Sequence, residues 1–472
     1  MKTYPFLIAG KPCTSTQKQE VINPFNGEVV GSVFLAQKSD IEKAIESAVE
    51  TFKKSRLLPS YERARILKAI AEKIAQKKEE LACTIVEENG KPIRDCRMEV
   101  DRVVMTFEIA AEEAKRIPGE LIPMDLRRDT EGRLGILKRF PIGPLTAMTP
   151  FNYPLNLAAH KIAPALAVGN PVILKPSMMT PISGLLLGQI IEECSSLPGM
   201  ISVIPSLHEE CEALVTDVRI KMISFTGSPD VGWDLKKRCG HKRITLELGG
   251  NAGVIIHEDT DLELAVSRSL RGAFAYAGQV CISVQRIYIH EKIYDRFVGK
   301  FLEGVKKLKA GNPMDEATDM GPMIRENQAI RAQEWIEEAI HAGAKLLAGG
   351  KRTGSFVEPT VLENVPKGTK VCDKEAFAPL VNIFCYTHFE DAVRAVNDTP
   401  YGLQAGIFTQ NIGRILHAYE NIEVGALMVN EVPTFRLDHM PYGGTKLSGF
   451  GREGLKYAIE EMTELRLLVL KS

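Results

Sequence analysis

From 171 to 291 the chain alternates short apolar runs with amphipathic ones, and that alternation constrains the fold more than any other feature. PVILKP (171–176), MISVIP (200–205) and KMISFTGS (221–228) read as short buried strands, as do NAGVIIHE (251–258) and QRIYIHE (285–291). Helical periodicity fills the gaps at about 181–195, near 208–217 and from about 261. Strands that alternate with helices build a parallel, doubly wound sheet. The resumption of the pattern after 251 points to a second α/β unit. A chain of 472 residues also exceeds what one simple core accommodates, so two or three domains are expected.

The flanks read differently. Segment 39–57 has helical periodicity, with Ser39 or Asp40 as N-cap. Segment 60–89 is one long amphipathic stretch closed by Gly90 and Pro92. A further helical pattern covers roughly 96–117 and stops at Pro118-Gly119. GRLGILKRFPIGPLTAMTP (132–150) reads as paired strands followed by a tight turn. The final AIEEMTELRLLVLKS (458–472) starts helical and ends as an apolar strand. Such a strand needs an edge to pair with, in another domain or another subunit.

Composition narrows the partners. Net charge is −1 and charged residues make up 25%, so nothing argues for nucleic acid. No run of about eighteen apolar residues is present, so no membrane span is expected. The opening MKTYPFLIAGKP lacks a small-residue cleavage site, so no signal peptide is expected. Nine cysteines are scattered and never form C-x-x-C. That excludes a disulfide framework or a zinc knuckle, points to a reducing cytoplasm, and gives no expectation of a metal site.

Four segments carry candidate chemistry. In FTGSPDVG (225–232) a strand runs into Gly227 and a helix begins near Ser228. Free N–H groups there make an anion site, although an ordinary βα turn reads the same way. In LELGGNAG (246–253), Glu247 sits among apolar residues before a glycine pair. Buried, its pKa would rise and suit general-base work; at a strand end it would be a surface carboxylate. In GQVCISVQR (278–286), Cys281 follows a small-residue turn and precedes a strand, a place for a reactive thiol as well as for a core one. In MTPFNYPLNLAAHKIAPALAVGN (148–170), Asn152 lies in a Pro-rich turn. Its amide can donate to an oxyanion or serve as a turn residue.

Taken together, in this order and spacing, these segments resemble the aldehyde dehydrogenase superfamily. The match extends to PVILKPSMMTP (171–181), KEAFAP (374–379), NDTPYGLQAGIFT (397–409) and PYGGTKLSGFGREG (441–454), nearly the whole chain. The resemblance implies an NAD(P)-dependent, non-acylating enzyme close to the branch that acts on lactaldehyde, glyceraldehyde and phosphonoacetaldehyde. It implies that Cys281 attacks the aldehyde, that Asn152 holds the oxyanion, and that Glu247 activates the water that hydrolyses the thioester. Members that transfer the acyl group to coenzyme A tend to lack that glutamate, so a free acid is the expected product.

The resemblance also assigns a cofactor site. Lys175 and Ser177 stand near the adenosine ribose, and Gly227 and Ser228 near the pyrophosphate. Glu375 is expected on the nicotinamide ribose with Phe377 beside it, and Pro150, Phe151 and Gly249 complete the set. Ala378 departs from the usual Gly of that motif. Met178 stands where NAD-preferring members carry a Glu. A carboxylate would repel the extra phosphate of NADP and Met does not, so NADP joins NAD as an expected cofactor. Arg102 and Arg436 fall where relatives line the substrate pocket, or else form structural salt bridges. Val280 replaces the Arg that phosphate-binding members carry before the nucleophile. A small hydroxyaldehyde such as lactaldehyde or glyceraldehyde is therefore expected. Glyceraldehyde 3-phosphate, phosphonoacetaldehyde and a cofactor-independent thiol esterase are the alternatives.

The implied architecture is α/β, with two doubly wound domains and a small β flap. Residues 1–120 and 140–247 form the cofactor domain and 248–447 the catalytic domain. Residues 121–139 and 448–472 form an oligomerisation flap, which suits a homodimer or homotetramer.

Overall fold

A computed structural model describes residues 2–471; the expected boundaries at residues 1 and 472 lie outside the described residues. Among the described residues the chain folds into two large sheets, two three-stranded ones and two two-stranded ribbons. The first sheet has eight strands, in the order Gly449–Phe450, Arg243–Glu247, Met222–Thr226, Leu145–Met148, Val172–Lys175, Ile201–Val203, Phe6–Ile8 and Lys11–Cys13. Its five central strands are parallel and its edges antiparallel. The second sheet has seven strands, from Lys345–Ala348 through Thr360–Glu363, Leu380–Tyr386, Val284–His290, Ala252–Ile256 and Gln404–Phe408 to Ala426–Val429. It is parallel except at Lys345–Ala348. This is the doubly wound α/β architecture expected from the strand–helix alternation. Both central blocks are buried on both faces, which is why their strands are continuous apolar runs rather than alternating ones.

The helix Pro154–Val168 is buried along its whole length. An all-round apolar helix belongs in an interior, and this one packs against Ile93–Glu113, Ser60–Gln76 and Leu455–Glu461. Its first turn follows Asn152, so the packing of the helix fixes the candidate oxyanion loop.

Three local expectations are corrected. The first helix spans Lys38–Ser55 with Gln37 at its N-cap. Asp40 sits one turn in and accepts the Gln37 N–H at 3.2 Å, so its carboxylate still serves the helix end. The long stretch 60–89 is two helices, Ser60–Gln76 and Lys78–Asn89, broken at Lys77. The polar run 75–80 buries no side chain there, so no packing keeps the axis straight. The runs within 132–150 do not pair with each other. Leu145–Met148 enters the eight-stranded sheet, whereas Arg133–Pro141 pairs with Gly119–Pro123 and Thr463–Lys471. The C-terminal strand thus finds its edge within its own chain, in nine successive antiparallel pairs. Within 448–462, Gly449–Phe450 joins the eight-stranded sheet and Leu455–Glu461 packs on the buried helix.

Among the described residues no helix is long and apolar enough to cross a membrane. All nine cysteines are free thiols.

Candidate active site

A cavity of about 290 Å³ opens beside Cys281. Ten of the residues singled out in the sequence line it: Pro150, Phe151, Asn152, Gly227, Ser228, Glu247, Gly249, Cys281, Glu375 and Phe377. They come from the ends of several strands and from the loops that follow them. That is where open α/β sheets present ligand sites.

Cys281 sits in the loop between the turn Ala275–Gly278 and the strand Val284–His290. Tyr276 and Ala277 in that turn adopt left-handed backbone, with φ of 48° and 51°, and so does Phe377 with φ of 46°. Left-handed non-glycine residues are uncommon and concentrate where the surrounding structure forces a functional loop into one shape. Glycine is required at 250 beside the Cys281 backbone: a Cβ there would lie 2.5 Å from the Cys281 carbonyl oxygen. Burial pushes the Cys281 thiol up to about 11, although the Tyr442 hydroxyl, 3.2 Å from Sγ, favours the thiolate.

The Asn152 amide is held in place by three groups. Its Nδ2 donates to the Gln279 carbonyl at 3.0 Å, and its Oδ1 accepts the Tyr153 N–H at 3.1 Å. Its own carbonyl accepts from the Lys91 ammonium at 3.0 Å. Lys91 is fully buried, pairs with buried Glu99, and lies 4.0 Å from the centre of the Tyr153 ring. Glu99 in turn accepts the N–H groups of Leu155 and Asn156 at 3.0 Å. One of the two amide N–H bonds of Asn152 is spent on Gln279, and the other remains for the cavity.

Glu247 ends the strand Arg243–Glu247 and is 3% exposed. Neither carboxylate oxygen has a hydrogen-bond partner. Burial, and then the nearby Glu453 carboxylate, raise it well above the usual carboxylate range. Glu453 behaves oppositely. Burial would raise it too, but Lys161 at 2.6 Å and the Arg436 guanidinium hold it down to about 2. Two close carboxylates driven apart in acidity mark out one as a proton acceptor and one as a fixed charge.

Glu375 accepts the Gly250 N–H at 3.0 Å, and burial raises it to about 7. A Cβ on Gly249 would lie 2.1 Å from its carboxylate, so glycine there makes room for the acid. Thr226 Oγ1 on the same wall is buried without a partner. A carboxylate at the rim, an unsatisfied hydroxyl and the start of the helix Pro229–Arg238 at Ser228 suit a ligand carrying hydroxyls and phosphates. The Gly227 N–H itself is spent on the Glu247 carbonyl at 3.0 Å.

The remaining residues singled out in the sequence lie outside this cavity's lining. Lys175 ends a strand, and Ser177 and Met178 follow in the turn before the helix Pro181–Cys194. Buried Glu88 fixes that turn by accepting the N–H groups of Ile182 and Ser183 at 2.6 and 2.9 Å. Val280 is buried among Tyr276, Ile282, Leu403 and Tyr442. Arg102 is bidentate on Asp438, at 2.7 and 3.2 Å. His160 also reaches Asp438, at 2.8 Å. Arg436 is buried, 3.4 Å from Glu453 and 3.6 Å from the centre of the Tyr442 ring.

Sequence reasoning missed Tyr442, Gln279 and the Lys91–Glu99 pair. Tyr442 and Gln279 stand inside recognised segments, PYGG and GQVC. A lysine and a glutamate eight residues apart give no comparable signal.

The chain matches the model of the aldehyde dehydrogenase family over residues 12–468. It is 45% identical to a 3-sulfolactaldehyde dehydrogenase of Priestia megaterium, covering 100% of this chain and 98% of that protein. It is 40% identical to a lactaldehyde dehydrogenase of Methanococcus aeolicus, covering 96% and 97%. The solved glyceraldehyde-3-phosphate dehydrogenase of Methanocaldococcus jannaschii, complexed with NADP, superposes with a TM-score of 0.93 at 40% identity, covering 97% of this chain and 100% of that one. With its family model matched almost end to end, the chain belongs to the aldehyde dehydrogenase family and is an NAD(P)-dependent aldehyde oxidoreductase.

Proposed function

We propose that the chain oxidises a small hydroxyaldehyde of the lactaldehyde or glyceraldehyde type to its free carboxylic acid, with NADP or NAD. The carrying observation is that Cys281, Asn152 and Glu247 line one cavity of about 290 Å³. The Cys281 thiolate attacks the carbonyl carbon and forms a C–S bond. The remaining amide N–H of Asn152 and the backbone N–H of Cys281 stabilise the resulting oxyanion. Nicotinamide, when bound, would supply the hydride acceptor. Loss of hydride from the same carbon leaves a thioester on Cys281. Glu247 removes a proton from the attacking water, the C–S bond breaks, and acid and thiol separate.

Glu375 would hold the nicotinamide ribose, with Phe377, Phe151, Pro150 and Gly249 around it. Gly227 and Ser228 would lie at the phosphates, and Lys175 and Ser177 at the adenosine ribose. Met178 presents no carboxylate to repel a ribose phosphate, which supports NADP.

Two features support an uncharged substrate. Val280 offers no charge before the nucleophile, and Asp438 and Glu453 take up Arg102 and Arg436. A second reading, a sulfonate-bearing hydroxyaldehyde, is favoured by the 45% identity to the sulfolactaldehyde enzyme. The sheet formed by Gly119–Pro123, Arg133–Pro141 and Thr463–Lys471 carries exposed Leu465, Leu467, Leu468 and Leu470. Those side chains suit a homodimer or homotetramer contact, and the scattered thiols suit the cytoplasm.

Steady-state kcat/KM for lactaldehyde, glyceraldehyde, sulfolactaldehyde and glyceraldehyde 3-phosphate, with each cofactor and no coenzyme A, tests the reading. Highest values for lactaldehyde or glyceraldehyde are expected, and highest values for sulfolactaldehyde would establish the second reading instead. A marked preference for glyceraldehyde 3-phosphate would overturn it.

A further inference from the structure

His257 and His290 close adjacent parallel strands, Ala252–Ile256 and Val284–His290, at the same edge of the seven-stranded sheet. Both are buried, 3% and 5% exposed. Glu258 follows His257 directly. A nitrogen from each ring and a Glu258 oxygen all lie within 4.8 Å of one another. No residue of this cluster lines the Cys281 cavity.

The hydrogen bonds around His257 leave one ring nitrogen free. Its Nδ1 lies 2.8 Å from the Tyr386 hydroxyl, which donates onward to the Ile256 carbonyl at 3.4 Å. With the hydroxyl's proton on the Ile256 carbonyl, Nδ1 donates and Nε2 carries the lone pair. Nε2 is buried with no partner. His290 Nδ1 accepts the Lys292 N–H at 3.3 Å, a long bond; ligation through Nε2 would move the ring proton to Nδ1 and release that bond. An imidazole whose second nitrogen is pinned by an outer hydrogen bond is the usual form of a metal-bound histidine. The rings also contact one another, Tyr386 and Phe389. Aromatic packing explains their burial but leaves His257 Nε2 unsatisfied.

We propose that His257, His290 and Glu258 form a site for one divalent transition-metal ion of the zinc class. Two imidazoles and one carboxylate are a ligand set of borderline character, suited to zinc, cobalt or nickel rather than calcium or magnesium. Bonds of about 2.0–2.2 Å put tetrahedral ligands roughly 3.3 Å apart, so modest side-chain rotations bring the three atoms in from 4.8 Å. Glu258 is held at 2.7 Å by Lys292, whose side chain is 65% exposed, and it would leave that partner for the ion. The ion would join the ends of two neighbouring strands, with its open positions filled by water. Sequence spacing gives no hint of the site, because only the register of the two strands brings the histidines together.

Chelator-treated full-length protein titrated with cobalt(II), followed by visible absorbance and calorimetry, tests the proposal. One equivalent should bind, with ligand-field bands and without the intense sulfur charge-transfer band that ligation by a cysteine would give. Glu258→Gln should weaken binding by about tenfold or more, and Lys292→Ala should strengthen it by freeing the carboxylate. Lys292 is exposed and Glu258 half-buried, so neither substitution disturbs the core. His290→Ala should abolish binding. Failure to saturate, a charge-transfer band, or unchanged affinity in both the Glu258 and Lys292 variants would overturn the proposal.

Discussion

Alkylation of Cys281 in the cofactor-free enzyme should be slow near neutrality and should climb steeply with pH. The thiolate is the reactive form, and burial lifts the thiol from its ordinary 9.0 to about 11. Each unit is tenfold, so the thiolate at about pH 8 is about 10²-fold scarcer than for an unperturbed cysteine, a penalty of about 3 kcal/mol. Because the folded pKa is raised, reactivity is missing below it and appears as pH rises through it. Tyr442→Phe removes the hydroxyl that favours the thiolate, so its rates should fall further across the same range. Iodoacetamide labelling from about pH 7 to about pH 10, with the modified peptide quantified by mass and Cys281→Ser as control, reads the effect. A plateau reached below about pH 9, or a neutral rate matching a free thiol, would refute the reasoning.

Three further outcomes follow from the geometry. Asn152→Ala should lower kcat by about 10²- to 10³-fold with little change in cofactor affinity, read by steady-state kinetics and cofactor titration. Met178→Glu should shift kcat/KM from NADP towards NAD, and an unchanged ratio would remove that residue from the account. Glu99→Gln leaves the buried Lys91 ammonium without its counter-charge, so about 3–5 kcal/mol of stability should be lost and unfolding should begin at a lower temperature.

The legible part of this protein is the part written in short segments. Cys281, Glu247 and Asn152 each sit in a motif whose neighbours constrain them, so their convergence on one cavity could be anticipated. The alternation of runs from 171 to 291 gave the two parallel sheets because each buried strand announces itself as an apolar run. Partner choice is not written that way. Arg133–Pro141 and Leu145–Met148 look like a hairpin, but the first pairs across more than 300 residues with Thr463–Lys471. The same limit hid Tyr442, which reaches Cys281 from 161 residues away, and the Lys91–Glu99 pair that anchors the Asn152 loop. Arg102 and Arg436 were candidates for the pocket by position. Asp438 and Glu453, which take up their charges, become neighbours only in the fold.

The central claim is that oxidation passes through an acyl group on Cys281 whose release needs Glu247. Rapid mixing of Glu247→Gln with lactaldehyde and NADP tests it most directly. A burst of about one reduced cofactor per active site should be followed by near arrest, with the acyl mass found on the Cys281 peptide. Steady turnover at the unmodified enzyme's rate, or a burst with no mass on Cys281, would contradict it.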